Sequence, residues 1–398
     1  MWRTHIVTAM LLLLLAGSPG LAESTLTLDV SRGPGVEVPL EFRSDVPAGT
    51  GDVLVAGSDD GAAGLLLQNG PALFDPSDGP DVGRAFCMIL PVDSRASRLR
   101  AKPAPDAKPR FSFVERSDGT LNLLEGETPV FSYVFGMQLA DGVPQEYRRS
   151  TYIHPLFDLK GNAITDDFPK DHYHHRGLSW TWPVVRVGDE VHDLWAVQGI
   201  RQVFERWLVC EVGPVCATLG VKNAWETGGR KVMDEWVWIR AFAAGRQGRA
   251  IDVRLTLCAR EPIQMAGREK KGYGGLCLRY APREDTIITT PDGRLKADSD
   301  LSRYAWADES AKFGGSMDFA GAAIFQYASN PSFPAGWCLR HYGLIGVSWP
   351  GTETITFEPG KPLTLRFRVW VHTGDATDGN VREAYDAFAK PPAVSLSK

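Results

Sequence analysis

Along much of the chain, apolar and polar side chains alternate one for one. In 363–372, Leu363, Leu365, Phe367, Val369 and Val371 fall on one side, and Thr364, Arg366, Arg368, Trp370 and His372 on the other. In 234–242, Val237, Ile239 and Ala241 oppose Asp234, Trp236, Trp238 and Arg240, and in 251–258, Ile251, Val253, Leu255 and Leu257 oppose Asp252, Arg254 and Thr256. A period of two is the side-chain period of a β-strand. Such runs, broken by frequent turn signals, continue from Phe111 to Thr373 and predict an all-β fold, a large sandwich over 111–390. Shorter runs at 25–30, 36–42, 52–56 and 85–92 predict a small N-terminal β unit over 23–100. The stretch 94–110, rich in Lys, Arg, Ala and Pro, reads as a linker, placed at 101–110. Helical spacing is confined to 379–390, one short helix.

The polar faces of these strands are unusual, because Trp stands beside Arg where a solvated face carries Lys, Glu and Thr. Indole rings stack on the C–H faces of sugars, while Arg, Asp and His take hydroxyls and carboxylates. The pairs Trp180/Trp182 and Trp236/Trp238 and the face Arg366/Arg368/His372 therefore predict a carbohydrate groove. The alternative is packing beneath a second layer.

Composition narrows the setting. Residues 1–22 combine Arg3, an apolar run at 10–16 and Gly20-Leu21-Ala22, the pattern of an export signal, so the expected location is periplasmic or extracellular. No other stretch approaches about 20 apolar residues, so no membrane span is expected in the mature chain. A net charge of -5 without a basic stripe argues against a nucleic-acid partner. The six cysteines form no CxxC pair, which disfavours a structural zinc site. Cys210 and Cys216 flank Gly213-Pro214 and are read either as a hairpin disulfide or as buried thiols.

Chemistry concentrates at 166–177, Asp-Asp-Phe-Pro-Lys-Asp-His-Tyr-His-His-Arg-Gly, which holds three of the eight histidines. Imidazole transfers protons near neutral pH and also ligates metals. The expected catalytic set is His174 and His175 as the proton-transfer pair, Asp171 orienting one of them, and Arg176 holding an anionic or carbonyl oxygen. His154, His172, Trp180, Trp182, Trp236, Arg340 and His341 are expected to bind substrate. No cofactor is predicted; the alternatives are a transition metal on His172 and His174 with a third ligand from elsewhere, or calcium on Asp166, Asp167 and Asp171. Glu235 lies on the apolar side of its strand, either a base raised by desolvation or a satisfied core carboxylate. The glycine-rich segment 270–275 reads as a loop whose backbone approaches the site. No Gly-x-Ser-x-Gly is present, so a serine triad is not supported.

Several of these pieces together resemble a known family. Tyr152-Ile153-His154-Pro155, Asp171-His172-x-His174-His175-Arg176-Gly177, Ser329-Asn330-Pro331, Trp337 with Arg340-x-Tyr342-Gly343, and Leu365-x-Phe367-Arg368-Val369-Trp370-Val371-His372 look like the exported bacterial family labelled "methane oxygenase PmoA". The resemblance covers about residues 111 to 390. It departs at Cys338, where the family pattern implies a histidine; the chain then lacks that histidine or uses His341 instead. The resemblance implies a supersandwich similar to galactose mutarotase and a role in carbohydrate degradation. The resulting expectation is an exported carbohydrate-active enzyme, a glycoside hydrolase or lyase. The alternatives are a non-catalytic carbohydrate-binding protein and a copper- or zinc-dependent enzyme.

Overall fold

The computed structural model describes residues 26–397, apart from the short stretches 32–34, 47–48, 50–51, 58–63, 75–78 and 93–96. The predicted export signal lies outside the described residues. Strand makes up 56% of the structure and helix 3%, so the all-β expectation holds.

Two nine-stranded antiparallel sheets enclose the main core. The first runs in the order 299–303, 336–340, 344–348, 275–279, 178–181, 152–156, 128–134, 120–125, 111–115. The second is centred on the long strands Cys216–Thr227, Arg230–Phe242, Gly248–Ala259 and Leu363–Thr373. Alternation decides which side chains meet between them. Val237, Ile239, Val253, Leu255, Leu365, Phe367 and Val369 enter the core from the second sheet. Ile153, Leu178, Trp180 and Trp182 enter it from the first sheet and the turn after it.

The opposite face of the second sheet is not a groove. A seven-stranded sheet covers it, in the order 38–42, 84–90, 65–71, 53–57, 97–103, 26–30, 394–397. Arg240 Nη1 pairs with Glu41 at 2.6 Å, Arg368 Nη1 donates to the Pro39 carbonyl at 3.1 Å, and Arg254 Nη2 donates to the Gly79 carbonyl at 3.1 Å. Arg366 is likewise buried, and His372 Nε2 lies 2.8 Å from Asp308 with both side chains fully buried. The face predicted to bind sugar is therefore a buried polar interface. Alternation assigns a residue to a face but is silent about what covers that face.

The stretch read as a linker also differs. Ser97–Pro103 is a strand of the small sheet, with Ala101 buried and Arg98, Arg100 and Lys102 exposed. Leu99 and Ala101 face the small-sheet core, but the charged outward residues dominate its composition. The last strand, Val394–Ser397, pairs antiparallel with Leu26–Val30 and closes this sheet at one edge. The short helix forms over Val381–Ala389.

A candidate acid–base site on the outer face of the first sheet

The histidine loop leaves and re-enters the first sheet at a tied base. Gly177 N donates to the Asp166 carbonyl at 2.9 Å, Asp166 N to the Arg279 carbonyl at 3.0 Å, and Arg279 N to the Gly177 carbonyl at 2.8 Å. A Cβ on Gly177 would stand 2.1 Å from the Ile153 carbonyl oxygen, so only glycine permits this approach. Arg176 is the latch of the base. Its guanidinium donates to Asp167 at 3.0 Å and to the Tyr147 carbonyl at 2.6 Å, lies over the Phe168 ring, and is almost wholly buried. Tyr152 Oη donates to the same Asp167 at 2.9 Å. Arg176 therefore binds its own loop and not a substrate oxygen.

Its expected role falls to an arginine from the neighbouring strand. Arg279 Nη2 donates to both carboxylate oxygens of Asp171, at 2.9 and 3.0 Å, while its Nε and Nη1 are buried without a hydrogen-bond partner. Asp171 Oδ2 lies 3.0 Å from His172 Nδ1. Asp171 thus lies against His172, rather than His174 or His175, as a close ionic approach without a formed hydrogen bond at Nδ1. Partial burial pushes the Asp171 carboxyl up, but His172 and Arg279 outweigh it and hold the group below the usual carboxylate range.

Aromatic rings build the wall. His172 stacks on His175 with centroids 4.6 Å apart and planes 3° apart, and on Tyr342 at 5.5 Å and 10°. His174 stands edge-on to His175 at 4.6 Å. Trp195 meets His175 at 5.6 Å and Tyr273 at 5.0 Å. The Arg279 guanidinium lies 5.0 Å from the Tyr342 ring centroid. Cys277, Cys338, Leu344 and Trp195 form an apolar floor, and Cys277 and Cys338 both lie opposite Gly346 in the strand between them. Burial pushes the Cys277 thiol up to about 11 and the Cys338 thiol up to about 12, so neither is a ready nucleophile.

Burial, then the positive charge of Arg149 and the neighbouring His172, lower His174 to about 4. His175 is depressed further, by burial and then by His174, His172 and Arg279. Both rings are therefore neutral at pH 7, and burial makes them weak bases. For His174 the folded value lies below the unfolded value of about 6.5. The stability that the neutral ring supplies is complete above that pH and is lost as pH falls towards 4. The melting temperature should therefore fall across this window, and His174→Gln should flatten the decline; identical slopes for the two proteins would contradict the assignment.

The other predicted residues are not assembled here. Trp180 and Trp182 are wholly buried in the core, because Trp180 shares the inward side with Leu178, and Trp182 Nε1 donates to the Trp349 carbonyl. They form no sugar platform. Trp236 lies on the second sheet beneath the Lys222 ammonium, 3.4 Å from the ring centroid. His154 Nδ1 contacts Thr165 Oγ1 at 3.2 Å near the loop base. Arg340 borders the floor and pairs with Asp300, whereas His341 turns to Asp298 at 2.9 Å. His341 therefore does not stand in for a residue at Cys338, which faces the site. For calcium, two of the three proposed carboxylates are already engaged, Asp167 by Arg176 and Asp171 by Arg279. Among the described residues, no group of three or more His, Cys, Asp or Glu side chains is arranged to hold a metal.

Arg279, Trp195 and Tyr342 were not anticipated as site residues. A usable signal existed for Tyr342, in the motif Arg340-x-Tyr342-Gly343. Arg279 and Trp195 converge on the loop through sheet pairing and a turn that alternation does not specify. The glycine-rich loop does reach the site, through Tyr273.

Residues 120–386 match the family of unknown function DUF6807. The match spans more than half of the chain, which therefore belongs to that family. The matching model does not carry the methane oxygenase label. No curated protein matches. Among solved structures, an alpha-mannosidase from Enterococcus faecalis V583 is similar at a TM-score of 0.39 and 10% identity, over 94% of this chain and 46% of that one. A polysaccharide lyase is similar at 0.27 and 13%, over 70% and 34%. A protein described as an aldose 1-epimerase, from Klebsiella pneumoniae subsp. pneumoniae MGH 78578, is similar at 0.30 and 11%, over 89% and 96%. The chain thus spans less than half the length of the first two. At such scores the chemistry has to be read from the residues themselves.

Proposed function

We propose that this protein is a carbohydrate-active enzyme whose site removes a proton beside a carboxylate, the chemistry of a polysaccharide lyase. The observation that carries this reading is the Arg279–Asp171–His172 row, a carboxylate that accepts two hydrogen bonds from a buried arginine and lies 3.0 Å from an imidazole. Asp171 lies 3.0 Å from His172 Nδ1, and Nε2 is the ring nitrogen left to accept a proton. The Arg279 guanidinium places a fixed positive charge behind Asp171 and beside Tyr342, which favours an anionic sugar carboxylate or the enolate formed from it. Tyr342 is 41% exposed beside His172 and its phenol is pushed up to about 12, mainly by burial, so it stays protonated. In the elimination, His172 takes the proton next to the carboxylate, that electron pair becomes a C=C bond, the C–O bond breaks, and the leaving oxygen takes a proton from Tyr342.

Hydrolysis is favoured less. The usual glycosidase uses two carboxyl groups, one of them kept protonated. Here His172 and Arg279 hold Asp171 below the usual carboxylate range, so it is not the protonated member that such a pair requires.

The test is a panel of acidic and neutral oligosaccharides. Unsaturated products from uronate-containing chains alone are expected. New reducing ends without unsaturation would replace this reading with hydrolysis, and tight binding without turnover would leave a carbohydrate-binding protein. A stoichiometric transition metal, lost in the His172→Ala/His174→Ala double variant, would replace it with metal-assisted chemistry.

A further inference from the structure

The predicted hairpin disulfide between Cys210 and Cys216 does not fit the register. Cys210 lies opposite Leu219 and is exposed, whereas Cys216 begins the next strand and is buried. Cys216 instead faces the small sheet. Cys87, in the strand Arg84–Leu90, is wholly buried with it in one apolar cluster that also contains Val215, Phe242 and Phe388. Both side chains pack in that one cluster, where the two sheets meet.

The approach is held from both sides. Gln68 is the cross-strand partner of Cys87. Its Oε1 accepts from the backbone N–H groups of Val215 and Cys216, both at 3.0 Å, and its Nε2 donates to the Cys216 carbonyl at 3.1 Å. A Cβ on Gly213 would stand 2.3 Å from the Gln68 side chain, so the turn is cut to admit this clamp. Glu41, the partner of Cys87 on its other side, pairs with Arg240 of the large sheet at 2.6 Å. The two cysteines therefore sit between two polar ties that join the same pair of sheets.

We propose that Cys87 and Cys216 form a disulfide that fastens the small sheet to the sandwich. The bond forms by thiol–disulfide exchange. The thiolate of one cysteine attacks a disulfide of a protein or small-molecule oxidant, and the second thiolate then attacks the resulting mixed disulfide and displaces the oxidant's remaining thiolate. The chain loses two protons and two electrons, and the oxidant leaves as two thiols. Because both sulfurs are buried once the sheets meet, exchange takes place during folding. The bond would close a loop of over a hundred residues, the range in which cross-linking restricts the unfolded chain most. The expected export of the chain supplies an oxidising setting.

The test is thiol trapping of the full chain recovered from an export-competent host, denatured in alkylating reagent and mapped by mass spectrometry without reductant. The expected result is one linked peptide pair joining Cys87 to Cys216, with the other four cysteines alkylated. Reductant should then lower the melting temperature by at least about 3 °C, and this shift should vanish in Cys87→Ala/Cys216→Ala. Six alkylated cysteines, or Cys210 linked to either partner, would overturn the proposal. Reductant sensitivity that persists in the double variant would overturn it as well.

Discussion

His172→Gln should lower turnover of an acidic oligosaccharide by about 10²–10⁴-fold, the usual contribution of a positioned general base, while changing binding less than about tenfold. The asymmetry follows from position. His172 lies against Asp171, with Nδ1 3.0 Å from Oδ2, and is 39% exposed, so its ring meets the substrate at the reacting carbon rather than along the chain. Asp171→Asn keeps the shape but frees the tautomer and should reduce turnover in the same direction, by a smaller factor. Arg279→Lys keeps the charge but loses the planar guanidinium that binds Asp171, and should raise KM together with its loss of kcat if it favours both the ground-state carboxylate and the enolate. His174→Gln and His175→Gln should cost less than His172→Gln, because neither ring has a carboxylate to fix its tautomer. Steady-state kinetics with direct binding separates these outcomes. Should His172→Gln weaken binding in step with activity, the site would be one of recognition and not of proton transfer.

Much of this architecture was legible in the sequence, and its limits are instructive. A period of two assigned Val237, Ile239, Leu365 and Phe367 to the core correctly, because one buried face suffices to set the pattern. The same rule misled at Arg240, Arg254, Arg366 and Arg368. A buried polar face carries the same residue types as a binding face when a second sheet satisfies them, here through Glu41, Pro39 and Gly79. The histidine loop was found because three imidazoles lie within four positions, but the division of labour inside it was not. Sequence proximity favoured Arg176, whereas the structure turns Arg176 back on Asp167 and brings in Arg279 from more than a hundred residues away. Aromatic residues were misplaced for a related reason. Trp180 and Trp182 follow the loop directly yet point through the sheet, and Tyr342 with Trp195 arrives from turns on the outer side.

Glu235→Ala should be among the most destabilising single substitutions in this chain, about 3–5 kcal/mol, with loss of activity only through unfolding. The carboxylate is wholly buried on the inward side of its strand and accepts from Gln202 Nε2 at 2.9 Å, Asn223 Nδ2 at 2.8 Å and Trp225 Nε1 at 2.7 Å. Gln202 Nε2 also donates to the Trp180 carbonyl at 3.2 Å, so the node braces the strand that carries the site on its outer side. Truncation leaves those donors buried without their shared acceptor and opens a cavity among Trp rings, and the two penalties add. Glu235→Gln keeps the volume but sets an amide N–H₂ among donors, so its loss should be smaller. Burial raises the Glu235 pKa despite the three hydrogen bonds. A carboxyl raised on folding binds its proton more tightly in the folded state. Its contribution is therefore greatest below the unfolded value of about 4.3 and declines as pH rises through the folded value. The difference in denaturant midpoint between the parent protein and Glu235→Gln should consequently narrow from acid towards neutral pH. A difference that widened over that range would show that the ionised form is the one the core is built to hold.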